Sequence, residues 1–221
     1  MPRLALFDVD RTVLSANSAS GWIRSELWRG YIDVSAFLEA TSWLVRYRLG
    51  DVKLEDAYRR SVATLRGNYE DDLQARCRDF NRDWVLPRVR PGARNAIAAH
   101  RDAGDHLCLL TSSSTYIAEP LARALDIGGV LCSSFEVDED GRFSGEPHEP
   151  LCYGHGKLEK ALTYATGVGL ALNEATFYTD SYADLPVLDA VAQPIAVHPD
   201  PRLARLARRR GWPIVSWGRE A

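Results

Sequence analysis

Two aspartates close an apolar run near the start of the chain. The stretch "LALFDVDRTVL", Leu4 to Leu14, carries Asp8, Asp10 and Thr12. Desolvating a carboxylate costs free energy unless a positive partner or hydrogen bonds meet it. Polar residues end two other apolar runs in the same way. "LCLL" (107–110) leads into Thr111 and Ser112, and "TFYT" (176–179) leads into Asp180, with Asp184 four residues on. In open parallel sheets ligands bind outside the carboxyl ends of the strands, so these residues should share one crevice. Four carboxylates there repel one another. At an effective dielectric of 20, like charges about 4 Å apart cost on the order of 4 kcal/mol per pair. A hard divalent cation relieves that repulsion, and an all-oxygen donor set points to magnesium. Each residue alone has a plainer reading. An Asp after a strand serves a turn or caps a helix, Asp184 can cap one starting at Leu185-Pro186, and Lys157 can be a solvated lysine. The joint pattern carries the chemistry.

The elements that must position these residues alternate in type. Five short apolar runs read as strands: 4–7, 107–110, 176–179, 194–197 and 213–217. Continuous apolar runs suit parallel strands buried on both faces. Between them lie helical patterns over 91–105, 116–129, 157–167 and 201–211, several with Pro near the start or Gly at the end. Strand and helix in alternation predict an α/β fold with a doubly wound, Rossmann-like parallel sheet. Residues 16–88 break the alternation with amphipathic stretches punctuated by Gly30, Gly50 and Gly67. They read as a small all-helical domain inserted after the first strand, leaving 1–15 and 89–221 as the core. Trp22, Trp28 and Trp43 beside arginines fit helix packing better than a membrane surface, since the stretch also carries acids. Residues 133–147, alternating around "DEDG", predict a β-hairpin.

Composition narrows the class. The chain has 221 residues and a formal net charge of −3, which argues against a dedicated nucleic-acid binder. No run approaches the roughly 20 apolar residues of a membrane span, and Asp8 interrupts the N-terminal run too early for a signal peptide. A cytoplasmic protein is expected, with monomer or homodimer left open. The cysteines, Cys77, Cys108, Cys132 and Cys152, form no CxxC pair, so neither a disulfide framework nor a zinc site is expected. His148, Cys152 and His155 in "HEPLCYGH" read as loop residues. The basic "RLARLARRRGW" reads as a solvated helix face in preference to a nucleic-acid or lipid patch.

At the level of motifs the chain resembles the haloacid dehalogenase superfamily of phosphohydrolases, in its phosphoserine-phosphatase-like branch. "DVDRT" is similar to the first motif, DxDx[TV]. "LCLLTSSS" resembles the second, "GHGKLEKAL" supplies the lysine of the third, and "FYTDSYADLPVL" resembles the fourth. The resemblance implies a magnesium-dependent phosphatase of a small phosphomonoester, working through an aspartyl-phosphate. Asp8 would be the nucleophile and Asp10 the general acid and base. Thr111, Ser112 and Lys157 would bind the phosphate. Asp8, Asp10 (through its backbone carbonyl), Asp180 and Asp184 would serve the metal. Phosphoserine or histidinol phosphate would typify the substrate. The acid that grips the substrate amine in phosphoserine phosphatases falls here near Asn17, which argues against phosphoserine. Ala183 stands where those enzymes commonly have Asn, and Arg11 fills a position often held by a small or polar residue. Two rivals share this residue set: a phosphotransferase using the same intermediate, and a receiver-like phosphate-binding module, which would need neither Asp10 nor an insertion of this length.

Overall fold

A computed structural model of the chain describes residues 2–49 and 54–218, so Gly50 lies outside the described residues. Strand β1 (Leu4–Phe7) opens the fold and is followed by helices α1 (Ser18–Trp28), α2 (Val34–Leu49), α3 (Leu54–Ala63) and α4 (Glu70–Phe80). Next come α5 (Pro91–Asp102), β2 (His106–Ser114), α6 (Thr115–Ala124), β3 (Gly129–Ser133), β4 (Phe135–Val137) and β5 (Phe143–Pro147). The chain closes with α7 (Gly154–Gly167), β6 (Thr176–Thr179), α8 (Leu185–Leu188), β7 (Gln193–Val197), α9 (Pro201–Arg210) and β8 (Ile214–Val215). Six strands form one parallel sheet in the order β3-β2-β1-β6-β7-β8, and β4 pairs with β5 as an antiparallel hairpin. The order reverses direction at β1, whose two neighbours are β2 and β6. That is the switch point at which such sheets open a crevice.

Burial on both faces accounts for the unbroken apolar runs. Ala5, Phe7, Leu107 and Leu109 face one core, and Leu4, Leu6, Cys108 and Leu110 face the other. Fully burying side chains of this size is worth about 1.5–3 kcal/mol each. Phe7 stacks on Tyr178 across the β1–β6 pair, with ring centroids 4.9 Å apart and planes at 7°. The ends of β1 and β6 are thereby set in fixed register just before Asp8 and Asp180.

Two elements depart from the sequence reading. The helix expected over 116–129 ends at Ala124, and the residues behind it form β3, a sixth strand that the sequence reading did not contain. Gly129 opens that strand beneath the Tyr164 ring, where a Cβ would collide with the phenol and with Cys108. The glycine thus permits a close crossing, although in sequence it resembles a helix stop. The strand expected over 213–217 shortens to Ile214–Val215, because Trp217 turns inward to pack against Phe7 and Tyr178. The hairpin forms where "DEDG" predicts it. The four cysteines are free thiols. Among the described residues no helix is long and apolar enough to cross a membrane.

Of the four helices after β1, α3 packs against β5 of the hairpin, α4 against α6, and α1 touches β2 through Ser18 and Ser113. Trp22 of α1 meets Phe80 edge-on at 5.3 Å, and Phe80 stacks on Trp84 at 5.0 Å. Gly21 lets α1 approach, since a Cβ there would overlap the Trp84 indole. Overpacking at such a contact costs about 1–3 kcal/mol. Gly21→Val is expected to lower unfolding stability by that amount in urea titration, and an unchanged midpoint would contradict the contact.

Candidate active site

The loop leaving β1 is a wide turn. Asp8 N–H donates to the Tyr178 carbonyl (2.9 Å), continuing the strand pairing by one residue. Val13 N–H then closes back on the Asp8 carbonyl and Leu14 N–H on that of Val9. Arg11 takes a left-handed conformation, φ 61° and ψ −5°, which turns the chain sharply between Asp10 and Thr12. Its guanidinium lies in the field of Asp10 and Asp180, where it partly opposes the rise that burial imposes on both carboxyls.

Asp8 is almost fully buried, and its Oδ1 accepts from Lys157 Nζ at 2.8 Å. Lys157, in the first turn of α7, is 3% exposed and donates to both Asp184 oxygens at 2.8 and 2.9 Å. Thr179 Oγ1, the last side chain of β6, donates to Asp184 Oδ2 at 2.5 Å. Asp184 therefore spends its carboxylate on Lys157 and Thr179 and makes no side-chain cap of α8. Asp180 N–H donates to Thr12 Oγ1 (2.9 Å), which ties the loop after β6 to the loop after β1. The Asp180 carboxylate receives only the long contact from Thr12 Oγ1, 3.5 Å, among the described residues.

Asp10 occupies different surroundings. Its Oδ1 accepts from Ser18 N–H at 2.6 Å, and its Oδ2 from Ser113 Oγ (3.2 Å) and Asn17 Nδ2 (3.3 Å). Ser18 is the first residue of α1, so the positive end of that helix faces the carboxylate. Asn17 is the N-cap, its Oδ1 accepting from Ser20 N–H and Ser20 Oγ. The position where an amine-gripping acid is expected thus holds a residue occupied with capping α1 and orienting Asp10. Ser113 N–H donates to Thr111 Oγ1 (3.1 Å), which links Asp10 to the fully buried Thr111. Ser112 is half-buried, and no side-chain bond of this cluster runs through it among the described residues. Ser113 makes the bond instead.

Six of the seven site residues from the sequence reading fall into three neighbouring hydrogen-bonded groups: Asp8 with Lys157 and Asp184, Asp180 with Thr12, and Asp10 with Thr111 through Ser113. That reading passed over Ser18, Ser113 and Thr179. "TSSST" offers five hydroxyls in a row with no signal for which one turns inward, and Ser18 acts through a backbone N–H that any residue but proline supplies.

Burial and like charge raise three of the carboxyls. Desolvation pushes Asp8 up against the opposing pull of Lys157, with Asp184 adding to the rise. Desolvation raises Asp180 too, reinforced by Asp8 and Asp184. Asp10 rises chiefly by burial, held back by its bonds to Ser18 and Ser113. For Lys157, burial alone would lower the ammonium pKa. The Asp184 and Asp8 carboxylates outweigh burial and raise it.

Residues 5–189 match the family model of haloacid dehalogenase-like hydrolases. The chain belongs to that family. A histidinol-phosphatase of Neisseria meningitidis is 26% identical over 98% of this chain and 100% of its own length. A phosphoserine phosphatase of Mycobacterium tuberculosis is 33% identical over 95% of this chain and 69% of its own length. Among solved structures, a protein of unknown function from Bordetella pertussis superposes with a TM-score of 0.90 at 30% identity, covering 99% of this chain and 100% of that one. Membership in a hydrolase family sets aside the receiver-like reading.

The raised carboxyls fix a sign for stability against pH. A carboxyl whose pKa is higher folded than unfolded keeps its proton longest in the folded state, so its contribution is lost as pH rises through the folded value. Asp8 and Asp180 shift from 3.8 to about 7 and about 8. In chelator, the thermal midpoint is expected to fall between pH 5 and 8, and Asp180→Asn to flatten the fall. A midpoint that climbs over that interval would contradict the assignment.

Proposed function

We propose that this phosphoric monoester hydrolase of the haloacid dehalogenase-like family cleaves a small-molecule phosphomonoester through a covalent aspartyl-phosphate. The observation that carries this reading is the unlike environment of two carboxylates two residues apart. Asp8 has one oxygen fixed by Lys157, and its other oxygen takes no hydrogen bond among the described residues. That leaves a lone pair for attack at phosphorus. Asp10, raised by burial and aimed by Ser18, Asn17 and Ser113, is suited to carry a proton.

The steps balance as follows. An Asp8 carboxylate oxygen forms a bond to phosphorus while the phosphorus–oxygen bond to the leaving alcohol breaks, and Asp10 gives its proton to the departing oxygen. Asp10, now a carboxylate, takes a proton from water as that water attacks the acyl phosphate. The Asp8–phosphorus bond breaks, releasing inorganic phosphate and restoring Asp8. Lys157 and the Thr111 hydroxyl meet the charge on the non-bridging oxygens. Asp184 supports the set by holding Lys157.

The donor chemistry fits a divalent cation. Asp8 and Asp184 share one buried ammonium, and Asp180 is desolvated with a single weak partner among the described residues. Asp8, the Asp10 backbone carbonyl and Asp180 would hold magnesium, all hard oxygen donors. When bound, the ion neutralises phosphate charge so that an anionic carboxylate can approach. Helices α1 to α4 form the insertion that covers the crevice and selects the substrate. With Asn17 engaged in capping α1, a substrate amine, as in phosphoserine or histidinol phosphate, would need another acidic partner from those helices.

Asp8→Asn is expected to abolish release of phosphate from para-nitrophenyl phosphate while the circular dichroism spectrum stays unchanged. Wild-type turnover by that variant would refute the nucleophile. Exhaustive chelation is expected to remove activity and added magnesium to restore it, and full activity after chelation would refute the metal role. Transfer of phosphate to added alcohols in place of water would identify a phosphotransferase.

A further inference from the structure

Helix α9 carries a concentration of positive charge that the proposed reaction does not use. Arg202, Arg205, Arg208 and Arg209 line a pocket of about 560 Å³ together with Tyr182. All four arginines are exposed. Among the described residues none of them pairs with a carboxylate, and the one bond of their side chains is Arg205 Nε to its own helix at Pro201 O. The next residue behaves otherwise. Arg210 pairs with Asp189 and lies over the Trp212 ring. The helix therefore has an acid within reach of one guanidinium and leaves four others aimed at a shared concavity. Four guanidiniums on one exposed helix face set up a local positive field in a chain of net charge −3.

The helix is not free to serve as a membrane anchor, since its apolar face, Leu203, Leu206 and Ala207, is buried in the core. From Arg202 to Arg209 the helix rises about 10 Å, which suits a row of linked phosphoryl groups better than a single one. Guanidinium forks match phosphate oxygens in pairs. The volume lies within the roughly 300–1,000 Å³ of small-molecule pockets. An extended nucleic-acid track would need basic residues beyond one helix.

We propose that the pocket between Tyr182 and α9 binds a small polyphosphate anion, either a free linear polyphosphate or the phosphate tail of a nucleotide. The site is separate from the catalytic cluster yet joined to its loop. Asp200, the N-cap of α9, accepts from Tyr182 N–H (2.7 Å), and its own N–H donates to the Asp180 carbonyl (2.8 Å). The side chains of Asp180 and Asp184 lie buried in the catalytic cluster, while Tyr182 between them is exposed toward the arginines.

The test is isothermal titration of metal-free protein in chelator with tripolyphosphate, with ATP in a second arm to separate the two sources. Without metal the catalytic cluster is net negative and repels the probe. Saturable one-to-one binding is expected, weakened at least about tenfold in an Arg205→Gln/Arg209→Gln double variant and unchanged in Arg210→Gln. Tighter binding of ATP would assign the pocket to a nucleotide, and equal binding to the phosphate chain alone. Magnesium-dependent turnover of the double variant should equal wild type. No saturable binding, equal loss in Arg210→Gln, or tighter binding of a single-stranded oligonucleotide would overturn the proposal. So would a fall in turnover of the double variant, which would place the arginines in the substrate site.

Discussion

One buried ammonium organises the site. Lys157 lies within 2.9 Å of three carboxylate oxygens, one from Asp8 and two from Asp184. Burial of an ion pair is rarely a net gain in stability, but removing one partner of such a pair costs about 3–5 kcal/mol because a charge is left without compensation. The three residues come from three places, the end of β1, the start of α7 and the turn after β6. Nothing local holds them together. The sheet order does, by placing β1 and β6 side by side, with α7 arriving over the face that Leu4, Leu6 and Phe177 share with Ala161 and Ala165.

The ammonium does not finish the work. Negative charge around it is still in excess, and the excess falls on Asp180, whose carboxylate has a single long contact among the described residues. The fold keeps this carboxylate desolvated instead of letting it swing to solvent. Thr12 fixes its backbone, and Phe7 stacked on Tyr178 fixes the strand ends behind it. Asp180 is thus held in the cluster with less compensation than Asp8 and Asp184 receive.

Helix α1 also meets the loop that follows β1. The Ser18 N–H at its start and its Asn17 cap both donate to Asp10, so this helix orients a carboxylate of that loop. The same N-terminus reaches strand β2 through Ser18 and Ser113, whose hydroxyls are 2.9 Å apart. The contact of Gly21 with Trp84 is what sets the depth of that helix.

Much of the fold was legible before any coordinates. Apolar runs without alternation announced strands buried on both sides, Pro and Gly marked helix ends, and acids at strand ends announced a shared crevice, because local periodicity reflects the number of buried faces. Asp8, Asp10 and Asp180 stand out because carboxylates beside apolar runs are costly, whereas Lys157, by itself a plausible solvated lysine, came forward only through the resemblance of "GHGKLEKAL" to a family motif. Tertiary packing settled what composition could not. It made Gly129 the start of a strand under Tyr164, turned Trp217 inward, chose Ser113 over Ser112, and gave Asp184 to Lys157 instead of to a helix cap. Each of those outcomes rests on a partner distant in sequence, and the pattern of neighbours along a chain carries no record of who will lie across from whom.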